Sequence, residues 1–149
     1  MRIYIGADHR GFELKEELKK WLIENEYEVE DVGNHIFDPE DDFVDPAVKV
    51  AEMIDGGAKE ERGILICGSG HGVEIVANRF RGVRAVVGFN ADVSKQGREH
   101  EDVNVLVLPA NWVTPEEAVE RVQLFLQTEA SSTEKYQRRR QRIENLRIS

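Results

Sequence analysis

Apolar positions along this chain recur with two alternating periods. Short runs at residues 2–7, 27–32, 63–67, 82–88 and 103–108 are rich in Val, Ile and Leu, the composition of buried strands. Between them the apolar positions spread to intervals of three and four. Leu14, Leu18, Trp21 and Leu22 form one such set, Ala47, Val50, Ala51 and Ile54 a second, and Ala118, Val122, Phe125 and Leu126 a third. That period predicts amphipathic helices, each laying one stripe on a sheet. Residues 73–79 and 91–101 continue the alternation as helices. Gly56-Gly57 ends the second helix, and Thr114 before Pro115 predicts an N-cap followed by a first helical residue. Residues 34–42 read as an acidic loop. From Thr133 the pattern is helical with few core positions.

Strands alternating with helices predict an α/β fold with a five-stranded parallel sheet, helices on both faces and right-handed crossovers. The 149 residues suit one domain, with a C-terminal helical arm over 132–149. No internal repeat or low-complexity linker interrupts it. Ligands of such sheets bind outside the carboxyl ends of the strands. That rule selects Asp8 and His9, residues 67–72, and residues 89–92.

Composition narrows the classes. A hydrophobic share of 40% is ordinary for a globular protein. There is no apolar run of membrane length and no signal peptide, so no membrane association is expected. One cysteine excludes an internal disulfide framework and any paired-cysteine metal site, which makes the cytoplasm the expected compartment. The net charge of −9 argues against nucleic acid as a partner. The charge is uneven. Residues 134–149 carry six Lys and Arg against Glu134 and Glu144, leaving +4 in the tail and −13 elsewhere. Such a tail is a solvated helix by itself, or an arm that reaches a neighbouring subunit or an anion.

The chemistry concentrates in Gly63-Ile64-Leu65-Ile66-Cys67-Gly68-Ser69-Gly70-His71-Gly72. A strand ends at the only cysteine, a loop with alternate glycines follows, and a helix begins. Strand end, glycine loop and helix N-terminus make an anion trap of outward backbone N–H groups. Cys67 alone would be a small buried hydrophobe, but a helix N-terminus favours its thiolate. The loop is not a dinucleotide fingerprint, because Val73 stands where a glycine is required. It is not a P-loop, because no Gly-Lys-Ser/Thr follows. Three alternate glycines exceed the needs of a turn and indicate close approach of backbone to a ligand. Asp8 is either a helix cap or a ligand contact, with His9 beside it. His100 ends a helix, where an imidazolium is favoured. The histidines are too dispersed for a metal site, and no metal or cofactor is expected.

The chain resembles the ribose-5-phosphate isomerase B and galactose-6-phosphate isomerase family over nearly its whole length. The resemblance is carried by residues 5–15 (Ile-Gly-Ala-Asp-His-Arg-Gly-Phe-Glu-Leu-Lys), by residues 63–72 with Ala77-Asn78-Arg79, by Gly82-Val83-Arg84-Ala85, and by Arg98-Glu99-His100 with Asn104-Val105-Leu106. It implies a Rossmann-like three-layer αβα sandwich, a homodimer with sites shared between subunits (dimer or tetramer being left open), and no metal. It implies aldose–ketose isomerisation of a phosphosugar through a cis-enediolate. By matched position, Cys67 would be the base between C1 and C2 and Ser69 would assist. The Gly68, Gly70, His71 and Gly72 stretch would form the oxyanion hole. Asp8 and His9 would hold hydroxyls and phosphate, Asn104 would support the enediolate, and His100 of the other subunit would open the ring. Lys135 and Arg139 match the phosphate positions.

Several positions depart from that family's pattern. Phe43 stands where a tyrosine is usual, Asn111 where an arginine is common, and His71 where an apolar residue or asparagine is usual. Lys135 keeps a charge but not the bidentate fork of an arginine. Ribose 5-phosphate is the leading substrate. The alternatives are another pentose or hexose phosphate, or a non-catalytic sugar-phosphate-binding protein on the same scaffold.

Overall fold

A computed structural model describes residues 1–146 as one α/β sandwich; Arg147, counted above in the basic tail, lies outside them. The chain runs β1 (Arg2–Ala7), α1 (Phe12–Glu24), β2 (Glu28–Asp31), α2 (Val44–Asp55), β3 (Arg62–Cys67), α3 (His71–Ala77), β4 (Ala85–Val87), α4 (Ala91–Glu101), β5 (Val105–Pro109), a 3-10 turn (Ala110–Trp112), α5 (Pro115–Gln127) and α6 (Glu134–Glu144). All strands are parallel, in the order β2-β1-β3-β5-β4. The predicted fold class is therefore observed.

Strand alternation divides the core into two layers. Ile3, Ile5, Ile64, Ile66, Leu106 and Leu108 face Leu14, Leu18 and Leu22 of α1 and Val122 and Phe125 of α5. Tyr4, Leu65, Cys67, Val105 and Val107 face Ala47, Val50, Ala51 and Ile54 of α2 and Val73 of α3. Each central strand is buried on both faces, which is why it reads as a continuous apolar run. The cap of α5 is the one expected: Thr114 Oγ1 accepts from Glu117 N at 3.2 Å, with Glu117 returning the contact to Thr114 N.

Some element bounds differ from expectation. The fourth strand is shorter than 82–88 because side chains capture its approach. Asn78 pairs both ways with the backbone of Ala85, and Asn104 donates to Gly82 O and accepts from Arg84 N. The fifth strand starts at Val105, since Asp102 turns the chain with a φ of 53° and Val103 N still bonds Gly97 O of α4. The third helix opens two residues early, at His71, and spans only seven residues. Helix α6 forms as predicted and buries none of its residues.

The chain leaves β1 for β2 at one edge and returns to β3 on the other side of β1. The crevice between the carboxyl ends of β1 and β3 is therefore the topological switch point. Asp8 and Cys67 stand at its two sides.

Candidate active site

At the end of β1 the chain makes a tight turn held by Asp8. Its Oδ1 accepts from Arg10 N at 3.0 Å and Gly11 N at 3.2 Å, while Asp8 N donates to Ile66 O of β3 at 3.3 Å. The turn is clamped down on β3, since a Cβ on Gly11 would lie 2.6 Å from Ile66 O. Asp8 thus closes the turn ahead of α1 rather than capping it, since the N-cap is Gly11 with no side-chain cap, and it remains at the crevice, buried to 6% exposure.

His9 follows and is tied to Asp41, whose Oδ1 accepts from His9 N at 3.0 Å and lies 2.8 Å from His9 Nδ1. Asp41 Oδ2 also accepts from Asn34 Nδ2 at 3.0 Å. The loop that brings Asp41 here is anchored from α1. Fully buried Lys15 donates to Asn34 O and pairs with Asp31 at 2.9 Å, and Lys19 reaches the same Asp31 oxygen at 2.7 Å. Burial alone would push the Asp31 carboxyl up. The hydrogen bonds from Lys19 and Lys15 outweigh it and hold the group below the ordinary carboxylate range. The reading of the sequence gave Asp41 and Lys15 no role. No periodic signal marks them, since Asp31, Asn34 and Asp41 are three and seven residues apart.

Cys67 ends β3. Its Sγ accepts from Gly70 N at 3.1 Å, and the side chain is 5% exposed. Gly70 has a φ of 85°, and a Cβ there would meet Val107 Cγ1 at 2.9 Å, so glycine is required on both counts. Burial pushes the thiol up, the backbone N–H groups of Gly70, Val73 and Ser69 pull it down, and the charge on Asp8 adds to the rise. The net direction is upward. The expectation that the helix end would favour the thiolate is thus corrected: desolvation exceeds what the short helix and its N–H groups return. Ser69 Oγ accepts from His71 N at 3.2 Å, leaving its hydroxyl proton available. The His71 side chain is exposed. Phe43 lies against Gly72, where a Cβ would come within 2.5 Å of its ring. Asn111 N donates to Gly68 O at 3.0 Å. Asp8, His9, Cys67, Gly68, Ser69, Gly70, His71 and Gly72 are therefore brought together at one end of the sheet.

The remaining site residues lie at the other end of the same chain. Helix α4 runs back against the strands, which places His100 near the start of β5. The His100 ring stacks on Tyr136 with centroids 4.2 Å apart and planes at 12°. Lys135 Nζ lies 5.0 Å and Arg139 Cζ 5.9 Å from the centre of the Tyr136 ring. Asn104 is also at this end: Asn104 O accepts from Gly63 N, and Gly63 is four residues, about 13 Å, back along β3 from Cys67. Its amide is consumed by Gly82 O and Arg84 N. A role for Asn104 on an enediolate is not what this geometry supports; it fastens β4 to β5.

Among the described residues no group of three or more His, Cys, Asp or Glu side chains is placed to hold a metal ion. Among the described residues no helix is long and apolar enough to cross a membrane.

Comparison with known proteins gives this geometry a family. The family described as Ribose/Galactose Isomerase matches residues 3–144. Ribose-5-phosphate isomerase B of Mycobacterium tuberculosis is 33% identical over 143 residues, covering 93% of this chain and 85% of that protein. The crystal structure of ribose-5-phosphate isomerase B from Mycoplasma genitalium with bound ribulose-5-phosphate superposes with a TM-score of 0.92 at 34% identity, covering 96% of this chain and 93% of that one. The Thermotoga maritima ribose 5-phosphate isomerase structure gives a TM-score of 0.89 at 38% identity, covering 97% of this chain and 98% of that one. With a buried cysteine on a glycine loop at the switch point, and a match running almost end to end, the chain belongs to the ribose/galactose isomerase family and is an enzyme of the aldose–ketose isomerase kind.

Proposed function

We propose that the protein interconverts ribose 5-phosphate and ribulose 5-phosphate through a cis-enediolate, with Cys67 as the base. The observation that carries the reading is the position of Cys67 Sγ, inside the crevice and 3.1 Å from Gly70 N. A carbon acid next to a carbonyl needs two things at once: a base at the carbon and fixed donors at the oxygen that becomes negative. The thiolate removes the proton from C2 of the aldose and returns it to C1, which leaves the ketose. Backbone N–H groups of the 68–72 loop hold the oxygen that gains charge. The Ser69 hydroxyl assists the transfer between the two oxygens. A buried base with a raised pKa is present as thiolate only in part at neutral pH, but each thiolate is correspondingly stronger toward a weak carbon acid.

Asp8 and His9 hold sugar hydroxyls and the phosphate side. His100 opens the furanose ring, and Lys135 and Arg139 bind phosphate. Since these three lie at the far end of their own chain, they serve the crevice of a second copy, and the working unit is a homodimer. The exposed apolar side chains Ile75, Phe89 and Trp112 on segments that follow strand carboxyl ends are surface such an assembly would cover. The placement of Phe43 against Gly72 and of neutral Asn111 beside Gly68 supports a second reading, in which another pentose or hexose phosphate is preferred over ribose 5-phosphate.

The test is proton exchange at C2 of a panel of five- and six-carbon aldose phosphates in D2O, followed by NMR. Exchange coupled to ketose formation with ribose 5-phosphate is the expected result. Exchange with a different phosphosugar only would move the assignment to the second reading. Absence of exchange with all of them would leave a binding protein on this scaffold.

A further inference from the structure

We propose that Arg10 is a specificity-determining residue that binds the phosphate of the substrate. The proposal rests on the isomerase reading for the identity of the sugar, but not for the anion contact itself.

Arg10 is set on the rigid turn after β1, its backbone N held by Asp8 Oδ1 at 3.0 Å. Its exposed side chain runs back across the mouth of the glycine loop. A Cβ built on Gly68 would meet Arg10 Cδ at 2.8 Å and Nη1 at 3.3 Å, and the same point lies 3.1 Å from Asn111 Nδ2. Three segments therefore converge on one spot next to Cys67: the guanidinium from β1, the start of the glycine loop from β3, and a neutral amide from the end of β5. Glycine at 68 leaves the guanidinium its path, since any larger residue there would displace the Arg10 stem.

Nothing on the protein side claims that guanidinium. Among the described residues it makes no hydrogen bond and no ion pair, in a chain with 29 acidic residues. The carboxylates of Asp8 and Asp41 are already committed, Asp8 to the N–H groups of Arg10 and Gly11, and Asp41 to His9 and Asn34. The five donors of Arg10, with Nη1 beside Gly68, are open to the oxygens of a ligand. A cation supplied by the same chain complements the Lys135 and Arg139 of a second copy. The carboxylates of Asp8 and Asp41 flank this turn, and Asp41 engages His9 Nδ1, which leaves Nε2 of that ring for a ligand. Asn111 contributes no charge. Arg10 is the permanent cation at this mouth, and its planar fork matches two phosphate oxygens.

The experiment compares wild type, Arg10→Ala, Arg10→Lys and Arg10→Ala with Asn111→Arg. For each, the KM and kcat for ribose 5-phosphate and the competitive inhibition constant of inorganic phosphate are measured. Binding of inorganic phosphate to the Cys67→Ser protein, with and without Arg10→Ala, is titrated by phosphorus NMR and needs no turnover. Arg10→Ala should raise both KM and the inhibition constant about tenfold or more while kcat stays within about threefold, the pattern of lost ground-state binding. Arg10→Lys should recover part of the loss. Asn111→Arg should recover most of it, by returning a guanidinium to the same spot from the other side. Loss of phosphate affinity in the titration alongside a wild type that isomerises nothing would sink the isomerase reading and keep the anion contact. Unchanged phosphate inhibition in Arg10→Ala, or a fall in kcat without any change in phosphate affinity, overturns the proposal.

Discussion

The two ends of the sheet are built on different physical principles. The carboxyl end holds its chemistry in buried backbone: Cys67 and Gly70 are buried, Asp8 is 6% exposed, and backbone N–H groups orient both the Cys67 sulfur and the Asp8 carboxylate. The amino end displays His100 at the end of α4 and Lys135 and Arg139 on α6, a helix that buries none of its residues. Arg140 holds that arm, donating to His100 O at 3.0 Å and to Ser131 O at 2.7 Å. At the opposite end Arg62, Arg98 and Arg140 line a cavity of about 500 Å3 together with Glu60, Asp102 and Glu129. Burial, with Arg98 and Arg84 close by, lowers the Arg62 guanidinium to about 10. The contrast suggests a division of work: one end preorganises the reacting centre, and the other delivers cations and an imidazole to a neighbour.

The sharpest way to break this division is at the base. Cys67→Ser should keep the fold and lose at least roughly a hundredfold in kcat, the scale of one acid–base group. The pH profile carries a sign as well. A thiol raised by burial gains thiolate as pH rises, so kcat/KM should still be climbing on the alkaline side of neutrality, and Cys67→Ser should abolish that limb. A variant with near wild-type turnover, or a limb that persists without the thiol, would remove Cys67 from the mechanism.

Next in size is complementation. If each site takes its base from one copy and His100 from the other, Cys67→Ser and His100→Ala are each inactive alone. Statistical exchange of subunits then makes half the dimers mixed, each with one intact site, and restores about a quarter of wild-type activity. No recovery after verified exchange would place both halves of the site in one subunit.

The two ends also differed in how far the sequence disclosed them. The strands were legible because parallel strands buried on both faces are continuous apolar runs, and the helices because one stripe of each is buried. Cys67 and its glycine loop were legible because steric demands on a backbone select residue types locally. What escaped were polar contacts between segments far apart in sequence. The Asp41–His9 and Lys15–Asn34 links join residues 32 and 19 apart, and neither leaves a periodic trace. The Asn78 and Asn104 amides that shorten β4 escaped for the same reason. That His100, Lys135 and Arg139 stand away from Cys67 follows from the direction of α4, and sequence reading reached it only through family resemblance.

The smallest predicted change in stability falls at the arm, and a comparison with the carboxyl end defines it. Asp31→Asn removes the partner of Lys15, a cation with no solvent exposure, and should cost about 3–5 kcal/mol, or roughly 10 °C in Tm. Because the Asp31 carboxyl is held below its ordinary range, its contribution is complete above about pH 4 and is lost as pH falls through the folded value. The variant should therefore lose the acid sensitivity of that window while remaining less stable above it. Arg140→Gln acts on an element without buried residues, so Tm should move by less than about 2 °C. Its effect should appear in kinetics. Lys135 and Arg139 lose a fixed position, and KM for the phosphosugar should rise several-fold while kcat follows weakly, with faster amide exchange confined to residues 134–144. A large fall in Tm would show that the arm belongs to the cooperative core. An unchanged KM would show that its cations do not serve the site.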